Sequence, residues 1–120
     1  MSTSDTADST VPQVRESGEV DTRAGAAEAI GGNVNAVWRN WWTWGPGNGT
    51  HNLQLSWSVI GVNSTVVIIA SEIDGNGNRF VASAPIRASS IAPGNGVVNF
   101  KIHIEWNSPI PMRTDVLVFN

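Results

Sequence analysis

Over residues 97–106 apolar and polar side chains alternate without a break. Val98, Phe100, Ile102, Ile104 and Trp106 fall on one face, and Asn99, Lys101, His103 and Glu105 on the other. A period of two is that of a β-strand with one face in a core and one in water. Residues 52–59 repeat it, with Leu53, Leu55, Trp57 and Val59 alternating against Asn52, Gln54, Ser56 and Ser58. Residues 65–73 are β-branched and almost continuously apolar, which predicts the most central strand of a sheet, covered on both faces.

The intervals are rich in turn residues. Asp74, Gly75, Asn76, Gly77 and Asn78 supply positions that tolerate positive φ and predict a hairpin into a strand over 79–84. Ala92, Pro93, Gly94, Asn95 and Gly96 form a second such turn. Pro109 and Pro111 lack backbone donors, which predicts a loop or sheet edge before a closing strand over 115–120. Six or seven short strands separated in this way predict an all-β fold, an antiparallel two-sheet β-sandwich of Ig-like or jelly-roll type, with a small closed barrel as the alternative.

The pattern stops upstream of residue 35. Residues 1–22 are Ser, Thr, Asp and Glu with isolated valines, and have too little apolar surface to offset the entropy of ordering them. Residues 1–34 therefore read as a flexible N-terminal arm and 35–120 as the β-domain. Within the arm, Asp21 is placed to cap a short helix over 23–30 that Gly31 and Gly32 would end. Eight residues are marginal for an isolated helix.

Composition narrows the function classes. With a net charge of −3 and no cluster of Lys or Arg, the chain lacks the cationic surface that nucleic-acid phosphates and anionic membranes require. No stretch is apolar for long enough to span a membrane, and the first thirty residues contain no leader pattern. The absence of cysteine removes disulfides, thiolate metal sites and a Cys nucleophile. Charged residues are only 14% of the chain, so much of its surface falls to Asn, Ser, Thr and Gly, which suit neutral polyols or other protein surfaces. Asn48-Gly49-Thr50 and Asn63-Ser64-Thr65 match the glycosylation acceptor pattern but also read simply as turns.

The unusual feature is residues 37–44, where four of the six tryptophans fall within seven positions. As a strand, this segment presents Trp38, Asn40, Trp42 and Trp44 on one face and Val37, Arg39, Trp41 and Thr43 on the other. Packing in the core and at its rim, with Arg39 stacked on an indole, accounts for such a cluster without any ligand. Indole faces also stack on sugar rings while amides bind their hydroxyls. That makes Trp38, Asn40, Trp41, Trp42, Trp44, Asn48 and Gln54 the candidate ligand-binding residues. The remaining uses are a bilayer-interface anchor and an oligomer interface.

Other chemistry finds less support. Asp74-x-Asn76-x-Asn78 opens like a calcium loop, but Arg79 and Pro85 stand where such a loop needs Gly and Glu. His103 and Glu105 share a strand face with Lys101 at a spacing of about 7 Å, and His51 is isolated. An acid–base pair can be drawn from His103 and Glu105, but no nucleophile or phosphate-binding motif accompanies it, and an alternating solvated face explains the same residues.

The expected function is thus non-catalytic, with no catalytic residues, metal or cofactor. It is lectin-like carbohydrate binding through the tryptophan segment, within a homo-oligomer. The alternative is a coat- or scaffold-like assembly protein with the tryptophan segment and the arm at subunit interfaces.

Overall fold

The computed structural model describes residues 9–19 and 32–120. They contain the strands β1 (Val14–Ser17), β2 (Val37–Gly47), β3 (Gly49–Ser56), β4 (Thr65–Glu72), β5 (Ile86–Pro93), β6 (Val97–Ile104) and β7 (Ile110–Phe119). Strand neighbours are all antiparallel. They form a four-stranded sheet in the order β1-β2-β7-β4 and a three-stranded sheet in the order β3-β6-β5. The all-β, two-sheet expectation holds, and no helix occurs among the described residues. The helix expected over 23–30 lies outside them.

Both sheets contribute to one core. Val98, Phe100, Ile102 and Ile104 of β6 and Leu53 and Leu55 of β3 belong to the same buried cluster as Trp42 and Trp44 of β2, Val66 and Ile68 of β4, and Met112, Val116 and Val118 of β7. β2 runs almost directly into β3, with only Asn48 between them, so one stretch of chain passes from the first sheet to the second.

Several expectations are corrected. β4 is an edge strand, because β7 occupies the centre between it and β2. Its apolar run has one buried face, Val66 and Ile68, while Val67 and Ile69 are 38% and 52% exposed. β7 starts five residues earlier than expected and includes Pro111. The β2–β7 register breaks between Trp44 and Gly47, so Gly45 and Pro46 bulge opposite Pro111, and the proline falls where the ladder is already interrupted. Its carbonyl still accepts a hydrogen bond from Ile73 N at 3.3 Å.

The turn over 74–78 forms, held by Asp74 Oδ1 accepting from Asn76 N and Asn78 N at 2.9 Å each. The strand expected over 79–84 does not: a single bridge joins Arg79 to Ile73, and Phe80 and Val81 are exposed. β5 forms instead, with its alternation broken by a register shift between Ser89 and Ala92, where Ser90 has a φ of 51°. Trp106, expected in the core, lies beyond the end of β6 and is 44% exposed. Its amide turns back to Ile104 O at 2.9 Å, ending the extended geometry.

β1 lies within the segment read as the flexible arm, and no periodicity announces it because all four of its residues are exposed. Main-chain pairing to β2 holds it instead.

Candidate functional site

β2 sorts the tryptophans by strand parity, as alternation requires. Trp42 and Trp44 point into the core with Asn40, and Trp38 is half-buried at its margin. Trp42 meets Trp57 edge-on, with centroids 5.8 Å apart at 75°. Trp44 meets Phe100 at 6.5 Å and 82°, and its Nε1 donates to Thr114 Oγ1 at 2.9 Å. Edge-to-face geometry places the positive ring edge on the negative ring face, the favoured arrangement for packed aromatics. Asn40 Oδ1 accepts from the adjacent Trp41 N at 2.7 Å, a local bond that satisfies a buried amide oxygen.

Trp41 lies on the opposite face. The Arg113 guanidinium stands 4.8 Å from its ring centroid, and Arg113 also binds Asp115 through Nε and Nη2, both at 2.9 Å. Arg79 Nη1 approaches the same carboxylate at 3.4 Å. The cation–π partner is therefore Arg113 rather than Arg39, which is exposed. By the β2–β7–β4 register, this outer face has the rows Arg39–Leu117–Val67 and Trp41–Asp115–Ile69, an apolar surface around one ion-paired cluster.

Asn48 and Gln54 lie elsewhere. Asn48 is buried at the β2–β3 crossing. Its Oδ1 accepts from Thr10 N at 2.7 Å, its own N donates to Thr10 O at 2.9 Å, and its carbonyl accepts from His51 Nε2 at 2.6 Å. Gln54 is on the outer face of the three-stranded sheet, donating through Nε2 to Asn99 Oδ1 at 2.9 Å. The seven candidate residues thus divide among the core, two opposite outer faces and the docking point of the N-terminal segment. They do not converge on one cleft.

The outer face of the three-stranded sheet is polar. His103 Nδ1 is 3.2 Å from Thr50 Oγ1 and its Nε2 is 2.7 Å from Ser89 Oγ. Glu105 pairs with Arg87 rather than with His103. A shallow cleft of about 230 Å³ nearby is lined by Asn52, Gln54, Ser90, Asn99 and Lys101. Among the described residues no group of three or more His, Cys, Asp or Glu is placed to hold a metal ion, and no helix is long and apolar enough to cross a membrane.

The residues that sequence reasoning missed are those that dock the N-terminal segment. Gly45 N donates to Gln13 O at 2.7 Å, and Gly18 and Trp41 exchange both main-chain bonds at 2.9 and 3.3 Å. Pro12 is fully buried, and Trp57 Nε1 donates to Glu19 Oε2 at 2.7 Å. A Cβ at Gly45 would come within 2.9 Å of Arg15, one at Gly47 within 2.7 Å of Pro12, and one at Gly49 within 2.7 Å of Ser9. Glycine at every second position from 45 to 49 was the available signal, since it leaves one side of the chain open to the close approach of a neighbouring segment. Gly47→Ala is accordingly expected to lift this segment off β2, because the clash includes the Pro12 backbone. Amide exchange at Gly45 and Asn48 should accelerate at least about tenfold while β6 amides stay protected.

Comparison with protein-family models, with curated proteins and with solved structures finds no match in any of the three.

Proposed function

We propose that this chain is a non-catalytic recognition domain whose partner is a second copy of itself, an assembly module with a β-sandwich fold of Ig-like or jelly-roll type. The sandwich reading is supported by the single core to which both sheets contribute. The assembly reading is carried by β4. Among the described strands only β7 forms a hydrogen-bonded ladder with it, β5 of the other sheet running close beside it without pairing, and from residue 65 to 71 it contains no charge, proline or register break. Edge strands are ordinarily blunted by one of those devices, and one that is not offers a row of main-chain donors and acceptors to another strand. Val67, Ile69, Phe80 and Val81 add exposed apolar surface beside it. Antiparallel pairing of β4 with the β4 of a second copy is self-complementary, as a two-fold interface requires, and joins two four-stranded sheets into one.

Carbohydrate binding through the tryptophan segment has weaker support, since Trp42 and Trp44 are enclosed in the core. A sugar reading is better served by the outer face of the three-stranded sheet, where the cleft beside the Gln54–Asn99 pair is lined by three amides and a hydroxyl together with Lys101, Leu53 and Phe100.

Sedimentation of the chain and of Ile69→Lys tests the assembly reading. The unaltered chain is expected to dimerise, and a lysine on the interface to weaken the dimer at least about tenfold, the cost of placing a charge against an apolar neighbour. A monomeric unaltered chain that binds neutral glycans would overturn the reading.

A further inference from the structure

The segment over 9–19 sits on β2 as a guest. Its strand β1 is exposed at all four positions, and Pro12 is the fully buried anchor of the segment. Main-chain hydrogen bonds provide much of the attachment: Asn48 N to Thr10 O, Gly45 N to Gln13 O, and the reciprocal pair between Gly18 and Trp41. The host also makes room for side chains, with Gly45 and Gly47 giving way to Arg15 and Pro12, and Gly18 on the guest giving way to the Trp41 ring, which a Cβ there would meet at 2.3 Å. An edge that binds an extended segment mainly through its main chain is a strand-acceptor groove.

The connection does not require the guest to belong to the same chain. A β-hairpin closing from Gly18 into Val37 needs only about 2–5 residues, whereas residues 19–36 intervene. We propose that the β2 edge accepts residues 9–19 of a second copy, the two copies exchanging these segments reciprocally. Every contact made within the chain is then remade between chains, so exchange sacrifices no contact and its balance is set by chain concentration. The inference rests on the reading that the chain self-associates, but it uses the sheet edge opposite β4, and the two can therefore fail separately.

The test uses the full chain in the Ile69→Lys background, which weakens pairing through β4. Because the sequence has no cysteine, Glu16→Cys gives a single attachment point for a nitroxide spin label, and Glu16 is the register partner of Thr43. Unlabelled-isotope copies carrying the nitroxide are co-refolded with ¹⁵N-labelled copies that lack cysteine. Adjacent strands lie about 4.8 Å apart, so a segment seated in trans brings the nitroxide onto β2 of the observed copy. Thr43 and Gly45 amide signals are then expected to lose most of their intensity, with β6 signals unaffected. A ¹⁵N-labelled copy that carries its own nitroxide, diluted into unlabelled protein, is the control for seating within one chain. Broadening in that control with none in the mixed sample would overturn the exchange, whatever the oligomeric state of the unaltered chain.

Discussion

Trp44→Ala is expected to lower the free energy of unfolding by about 3–5 kcal/mol, the usual range for removing a large aromatic side chain from a packed core. Trp44 is only 3% exposed and packs edge-on against Phe100. Its loss also leaves Thr114 Oγ1, on a residue with no exposure at all, without the indole donor. A buried polar group deprived of its partner adds a penalty of about 1–3 kcal/mol unless water enters the space. Trp44→Phe separates these contributions: it keeps most of the ring and removes only the N–H, so a loss near the smaller of the two ranges is expected. Urea denaturation of the three proteins provides the comparison. Trp41→Ala, on the outer face, should cost clearly less than Trp44→Ala, and equal losses would mean that the facing of β2 is wrong.

The second large effect concerns β6. Ile104→Ala should cost about 2–5 kcal/mol, whereas Lys101→Ala should stay within about 0.5 kcal/mol. Ile104 is 1% exposed in the shared core, and Lys101 lies on the wet face of the same strand. Thermal or urea unfolding of both variants tests the contrast, which depends only on strand parity and not on any functional reading.

How far the fold could be read from the residues depended on whether burial or hydrogen bonding holds each element. β6 and β3 follow from alternation, because a core face selects every second side chain, and the tryptophans of β2 follow the same parity although burial there is continuous from Trp42 to Gly45. β1 was invisible for the opposite reason: its register is kept by the backbone, which every residue type shares. In β5 a bulge at Ser90 shifts the parity midway, so Ile86 and Ile91 cannot be joined by any period of two. The continuous apolar run of β4 suggested cover on both faces, but hydropathy records what a face is made of and not whether anything lies on it. Pro111 illustrates the converse error. Proline excludes a position from an intact ladder, and the bulge that makes it acceptable is on the partner strand.

The candidate site was legible only in part. Of the four tryptophans within one short segment, Trp42 and Trp44 did enter the core. Which indoles that core would enclose depended on Phe100 of the other sheet and on Trp57 just beyond β3, which meet them edge-on. Asn48 was selected as a ligand amide, yet its side chain is engaged with Thr10, and that partnership becomes apparent only once the N-terminal segment is seen to dock.

The place of β7 in the four-stranded sheet affects how the protein is made. β7 is the last of the seven described strands in sequence order, yet both β2 and β4 pair with it. A ribosome therefore releases β2 and β4 well before the strand that joins them, and for that interval each presents main-chain groups and apolar side chains to any other nascent chain nearby. Sheets closed by such distant pairings form slowly, and the waiting strands are where misassembly begins. Slower translation of residues 73–109 should lengthen that exposure and lower the soluble yield.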